Sequence, residues 1–376
     1  MRNKTQKLKI MTILGTRPEI IRLSCILPKM DKYFKHIIVY TSQSYSQQLS
    51  TVFFKDLKLR KPDFVLDVKS ETLGGLLGNI LKQAEEAILK EKPDALLVLG
   101  DTNSALSAII AKRMKIPIFH MEAGNRSFDD NVPEEINRRI VDHISDYNLA
   151  YTENSRRYLI AEGIHPGNIY VTGSPLTEVF EVFIKDIEKS KILLNLKLKE
   201  KEYFVVSIHR EENVDNPAHL KELFNSLNYL ANKYRFPVIV SYHPRAKKRL
   251  SLLNLKLSPL IKLHEPFGFF DYNNLQKNAL CVLSDSGSIP EESAIFNFRA
   301  IQVRVSSERP EAFDAGSIIL TGFNKDTIVS AVELVVNQER SGEIPEIPEG
   351  YKLKNVSSKV VKLIMGLSSI RKYHNN

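Results

Sequence analysis

Short apolar runs alternate along this chain with stretches whose apolar positions recur at helical spacing. The runs at 8–14, 37–41, 95–99, 116–119, 147–151 and 169–172 read as strands, and a second series follows at 203–208, 236–241, 280–284, 300–304 and 318–320. Strands interleaved with helices are the α/β signature, and here it occurs twice. Between the series lies 181–201, a Lys/Glu-rich amphipathic stretch that reads as helix and linker. The expected organisation is therefore a first Rossmann-like domain over 1–180, a second over 181–350, and a helical tail, 351–376, able to pack back on the first domain. Each domain is expected to be a doubly wound parallel sheet, the two facing a cleft.

Polar clusters close several of the runs. Gly15-Thr16-Arg17-Pro18-Glu19, Gly100-Asp101-Thr102-Asn103-Ser104 and His120-Met121-Glu122-Ala123-Gly124 each follow a strand in the first half. In a parallel sheet these positions share the carboxyl edge, where ligands bind. In the second half, the strand ending near Ser284 runs into Ser286-Gly287-Ser288 and then an apparent helix start, with Pro290 in the first turn. Such a start offers backbone N–H groups and a positive dipole end to a diphosphate. Glu291 and Glu292 are within reach of ribose hydroxyls, although a capped helix with an acidic first turn explains the same residues.

Composition narrows the function. A length of 376 residues suits two domains, and 43% hydrophobic with 26% charged residues suits a globular protein. No apolar run approaches the roughly 20 residues that span a bilayer, and the basic N-terminus leads into a strand rather than a signal-peptide core, so cytoplasmic residence without membrane insertion is expected. The net charge of +9 comes from scattered Lys residues with few interleaved aromatics, which fits an anionic nucleotide better than nucleic acid. Cys25 and Cys281 lie in apolar stretches and read as small buried hydrophobes. With no Cys/His metal spacing, no Gly-x-Gly-x-x-Gly and no phosphate-binding P-loop, neither a metal, a nicotinamide cofactor nor ATP hydrolysis is expected.

Candidate acid/base groups are Asp101, Glu122 and Glu134 in the first half and His209, directly after the strand 203–208, in the second. Glu134 and Glu135 follow Pro133 at a helix start. Glu135, four residues before Arg139, is assigned to a surface pair, which leaves Glu134, about 100° around the helix, as the catalytic candidate. Asp101 serves equally well as a helix cap. Arg17 and Arg309 are cations in Pro-containing turns suited to phosphate or carboxylate recognition, or to surface pairs. His243 and Arg245 form a weaker cluster of the same kind.

Seven ordered motifs, Gly-Thr-Arg-Pro-Glu (15–19), Gly-Asp-Thr-Asn-Ser (100–104), His-Met-Glu-Ala-Gly (120–124), Pro-Glu-Glu-Ile-Asn-Arg (133–138), His-Arg-Glu-Glu-Asn (209–213), Asp-Ser-Gly-Ser-Ile-Pro-Glu-Glu (285–292) and Glu-Arg-Pro-Glu-Ala (308–312), resemble the non-hydrolysing UDP-N-acetylglucosamine 2-epimerase family. The resemblance implies a glycosyltransferase B type fold, a homodimer, no cofactor, and inversion at C2 of a UDP-sugar by elimination and re-addition of UDP. It implies that Asp101, Glu122, Glu134 and His209 are catalytic. It further implies that Arg17, Arg22, His243, Ser286, Gly287, Ser288, Glu292 and Arg309 bind substrate, with Glu292 on the ribose.

Departures from the family pattern at Ser44, Glu211 and Ser241 fall at places that resemble those forming an allosteric UDP-sugar pocket in some bacterial members, so such activation is not expected. The forms Gly-Asn-Arg-Ser-Phe-Asp (124–129), Val-Asp-His-Ile-Ser-Asp (141–146) and Val-Thr-Gly-Ser-Pro (171–175) are similar to the subgroup that makes UDP-N-acetyl-L-fucosamine from the 6-deoxy-L-talose sugar for capsule or O-antigen. UDP-N-acetylglucosamine is the alternative substrate. A glycosyltransferase or a non-catalytic nucleotide-sugar binder would share the fold.

Overall fold

The structure is a computed structural model that describes residues 7–42, 53–208, 210, 213, 215–242, 249–250, 253 and 255–374. His209, Glu211, His243, Arg245, Gln43 and Ser44 lie outside the described residues. The chain divides into two compact units, Met1–Val182 with Glu349–Asn376, and Phe183–Pro348.

In the first unit the strands are β1 Lys9–Leu14, β2 Lys35–Tyr40, β3 Phe64–Val65, β4 Ala95–Leu99, β5 Ile118–Met121, β6 Tyr147–Ala150 and β7 Ile169–Val171. They form a parallel sheet ordered β3-β2-β1-β4-β5-β6-β7. Thr12 of β1 pairs with Leu97 of β4, and Leu99 pairs with Met121 of β5. This register ends the three strands level, so Gly15, Gly100 and Glu122 leave the sheet side by side. On one face Met11, Ile13, Leu96 and Val98 pack against Ile80, Ala84, Ala87 and Ile88, an apolar stripe at helical spacing on the helix Leu73–Glu91.

In the second unit β8 Phe204–Ile208, β9 Val238–Tyr242, β10 Ile261–His264, β11 Cys281–Ser284, β12 Ala300–Gln302 and β13 Ile319–Leu320 form a parallel sheet ordered β10-β9-β8-β11-β12-β13. Phe204, Val206, Val240 and Leu283 pack on one side with Phe224, Leu227 and Val332. Val205, Ile239 and Val282 pack on the other with Leu275, Ile289 and Phe298. Residues of successive strands thus bury both faces, as a doubly wound sheet requires.

Both sheets are Rossmann-like, the α/β class of the glycosyltransferase B type expected from sequence. Every expected run overlaps a strand. The run at 116–119 is displaced, because the strand begins only at Ile118 and continues through His120 to Met121. Two strands were not expected, β3 and β10, and both are edge strands. Burial pushes both thiols, Cys25 and Cys281, up to about 12, in keeping with small hydrophobes. The helix Val356–His374 belongs to the first unit, where Lys29 Nζ meets Ser358 Oγ at 2.7 Å and Ser357 N–H donates to Glu178 Oε2 at 2.8 Å.

Candidate active site

Strand order reverses between β1 and β4 in the first unit and between β8 and β11 in the second. Ligands of open α/β sheets bind at such switch points, outside the carboxyl ends of the strands.

After β1 the chain turns into the helix Arg17–Leu23 through a capping box of Thr16 and Glu19. Gly15 and Thr16 N–H donate to Glu19 Oε2 at 3.1 and 2.8 Å, and the Thr16 hydroxyl does so at 2.7 Å. Burial pushes Glu19 up to about 7, with hydrogen bonds from Thr16 and Gly15 pulling the other way. Arg17, half-buried, sits 5.6 Å over the Phe53 ring. Arg22 on the same helix is 5% exposed, and its Nε lies 3.6 Å from Glu122 Oε2.

Asp101 is not the helix cap. Thr102 precedes the 3₁₀ helix Asn103–Ser107, and Asp101 Oδ2 instead accepts from Arg138 Nε and Nη2 at 3.0 and 2.5 Å. Arg138 comes from the helix Pro133–Ile144, which carries Glu134, half-buried, in its first turn. The surface pair expected for Glu135 is corrected: Glu135 does meet Arg139 at 3.2 Å, but it is 1% exposed. Its Oε2 accepts from Ser127 N–H and hydroxyl, both at 3.0 Å, and from Arg138 Nη1 at 3.0 Å. Burial alone would raise this carboxyl; the Ser127 N–H and Arg138 outweigh it and hold Glu135 below the ordinary value. That face of the helix turns toward the loop after β5, which the spacing of Glu135 and Arg139 alone cannot reveal.

Glu122 follows β5 with φ +63°, in the left-handed region where a residue with a side chain is strained. Its Oε1 accepts from Asn125 Nδ2 at 3.2 Å and its Oε2 faces Arg22. A Cβ added at Gly100 would lie 3.5 Å from Glu122 Oε2, so this carboxylate reaches the neighbouring loop. Beneath it His120 is fully buried, with Nε2 2.8 Å from Gly100 O and Nδ1 2.9 Å from Asp142 Oδ1. The first unit thus brings Asp101 and Glu122 together on adjoining loops, with Arg22 on the helix after β1 facing Glu122 and Glu134 on the helix whose Arg138 holds Asp101.

In the second unit Asp285, 2% exposed, ties the loops flanking the switch point: its Oδ2 accepts from Arg210 N–H at 3.0 Å and Asn213 Nδ2 at 3.1 Å. Ser286 and Ser288 hydroxyls lie 2.9 Å apart, and Ser288 Oγ donates to Glu292 Oε1 at 2.6 Å while Gln276 Nε2 donates to Oε2 at 2.9 Å. Pro290 stands in the first turn of the helix Ile289–Phe296. A Cβ at Gly287 would meet Glu308 Oε2 at 3.2 Å and Arg210 Nη2 at 3.5 Å. Glu308 is in turn bonded to Arg304 at 2.8 and 3.1 Å. Arg309 is 3% exposed, 3.4 Å from the fully buried Glu291.

Sequence reasoning missed Asn125, Arg138, Arg210 and Arg304 as site residues. The available signal for Arg138 was its spacing, four residues after Glu134 and three after Glu135, on the same helix. Among the described residues no group of three or more His, Cys, Asp or Glu side chains is arranged to hold a metal ion, and no helix is long and apolar enough to cross a membrane.

Comparison with known proteins identifies the family. Residues 28–365 match the family described as UDP-N-acetylglucosamine 2-epimerase. The UDP-N-acetylglucosamine 2-epimerase of Methanocaldococcus jannaschii is 40% identical over 347 residues, 90% of this chain and 95% of that protein. The structure of UDP-N-acetylglucosamine 2-epimerase from Rickettsia bellii is 46% identical with a TM-score of 0.90, over 97% of this chain and 98% of that one. That of the Methanocaldococcus jannaschii enzyme in complex with UDP-GlcNAc and UDP gives 38% and 0.88, over 95% and 99%. The chain therefore belongs to the UDP-N-acetylglucosamine 2-epimerase family and is an isomerase, a UDP-sugar 2-epimerase.

Proposed function

We propose that this epimerase inverts C2 of a UDP-2-acetamido sugar by anti- or syn-elimination of UDP across C1–C2 followed by its re-addition. A base removes the C2 proton as the C1–O bond breaks and its electron pair leaves with UDP, giving a glycal. UDP then adds back at C1 while an acid delivers a proton to the opposite face of C2. The C2 hydrogen is not next to a carbonyl, so the route depends on an acid and a base near C2 and on a firm hold on departing UDP. The observation that carries this reading is the gathering of Asp101 and Glu122, each beside an Arg, at the switch point of the first unit. In this reading Asp101, Glu122, Glu134 and His209 are catalytic. Arg17, Arg22, His243 and Arg309 contact substrate, Ser286, Gly287 and Ser288 hold phosphate, and Glu292 takes the ribose. The first unit then supplies the acid/base carboxylates, and the protein acts as a homodimer.

For the sugar, the motif forms at 124–129, 141–146 and 171–175 favour UDP-2-acetamido-2,6-dideoxy-L-talose, converted to UDP-N-acetyl-L-fucosamine for capsule or O-antigen. A second reading, UDP-N-acetylglucosamine, is favoured by the names of the relatives above. Incubation with each sugar in heavy water, read by proton NMR, tests both. The elimination route expects deuterium at C2 of the product, and an epimerised product without it overturns the route. The sugar that turns over faster identifies the substrate.

A further inference from the structure

We infer that Asn125 is a positioning residue for Glu122, holding one oxygen of that carboxylate through an amide whose orientation Ser155 sets. The inference rests on the reading of Glu122 as a catalytic carboxylate.

The loop after β5 enters the left-handed region twice, at Glu122 (φ +63°) and at Gly124 (φ +81°). Its path is fixed from below: Gly124 N–H donates to Asp142 Oδ2 at 3.2 Å, and Arg126 Nη1 donates to the Asn125 carbonyl at 2.6 Å. This path brings the Asn125 side chain back onto Glu122, where Nδ2 donates to Oε1 at 3.2 Å.

An amide has a donor end and an acceptor end, and only the donor end suits a carboxylate. The Ser155 hydroxyl lies 3.2 Å from Asn125 Oδ1 and donates to it, which leaves the NH₂ facing Glu122. Ser155 is itself held, because its N–H donates to the Thr152 side chain at the start of the helix Glu153–Ala161. Asn125 and Ser155 are 5% and 4% exposed, so neither amide nor hydroxyl has much water to turn toward. The other oxygen of Glu122 faces the guanidinium of Arg22, 3.6 Å away. The carboxylate is thus oriented by a neutral donor fixed in the loop and by a cation from another element, the kind of support that sets the geometry of a reacting group.

The test is a double-mutant cycle on the full-length protein, assayed with whichever UDP-sugar turns over in the NMR experiment. Asn125→Leu should lower kcat roughly tenfold to a hundredfold, the size expected on losing a hydrogen bond to a charged group, with KM and UDP affinity little changed. Ser155→Ala should lower kcat in the same direction by less. In a Glu122→Gln background, Asn125→Leu should bring no further loss, because Asn125 acts through the missing carboxylate. Losses that multiply in the double variant, or a near-normal kcat for Asn125→Leu beside a crippled Glu122→Gln, would overturn the inference alone. Should Asn125→Leu not fold, a near-normal kcat for the milder Ser155→Ala overturns it. A near-normal Glu122→Gln would overturn the reading of Glu122 and the inference with it.

Discussion

Arg138 Nη2 lies 2.5 Å from Asp101 Oδ2, and Nη1 of the same guanidinium lies 3.0 Å from Glu135 Oε2. From Glu135 a circuit of polar groups continues through Arg139 and Glu162 to Arg126, 2.7 Å from Asp142, and then through His120 to the carbonyl of Gly100, the residue before Asp101. Buried ion pairs give little net stability because desolvation offsets their attraction, but removing one partner leaves a charge uncompensated. The circuit joins the loops that carry Asp101 and Glu122 to the helix that carries Glu134.

Replacing Arg138 should therefore separate activity from stability. Arg138→Lys keeps the charge and loses the fork that spans two carboxylates, so kcat should fall while the melting temperature changes little. Arg138→Leu takes from the buried Glu135 one of its two cations, leaving Arg139 and Ser127, and should cost about 1–3 kcal/mol of stability. Steady-state kinetics with thermal melts of both variants check this; a Lys variant with full activity would show that the fork does not matter.

Glu19 should make stability depend on pH. Its carboxyl is raised from 4.5 to about 7 in the folded protein, so its contribution is fully present below about pH 4.5 and is lost as pH rises through about 7. Relative to Glu19→Gln, the wild type should lose roughly 3 kcal/mol of stability between those limits. Denaturant unfolding of both proteins at a series of pH values measures the difference, and a difference that stays flat would mean that Glu19 does not titrate there.

Gly124 and Gly163 give a matched pair. Both have positive φ, +81° and +90°, but a Cβ at Gly124 would lie 2.4 Å from the Ser155 carbonyl oxygen, whereas at Gly163 it meets nothing within 4 Å. Gly163→Ala should cost only the backbone strain, about 1–2 kcal/mol. Gly124→Ala should cost clearly more and should also lower kcat, because the backbone it displaces leads into Asn125 and lies two residues after Glu122. Equal melting temperatures for the two variants would contradict the close approach.

Much of the architecture was legible in the chain. Continuous apolar runs such as Ala95–Leu99 stay apolar because parallel strands are covered on both faces, and β4 is buried at every position. The runs that escaped notice, Phe64–Val65 and Ile261–His264, lie at sheet edges, where covering by neighbours is incomplete and the apolar signal weakens. Glu122 was legible as a candidate because a carboxylate directly after a buried strand has few structural uses, whereas Asp101 could be read equally well as a helix cap until Arg138 was seen to hold it.

Local periodicity and adjacency in the chain are enough to specify most of the strands and helices, β3 and β10 excepted, and to say which polar clusters stand at the carboxyl ends of strands. Only the tertiary structure decided that Glu135 is buried rather than on the surface, that Arg138 reaches back to Asp101, and that Ser155 turns the Asn125 amide toward Glu122. These relations join residues on separate elements. They depend on the strand register that levels Leu14, Leu99 and Met121 and on which helix face packs against the loops, and neither is encoded in the spacing of any one segment.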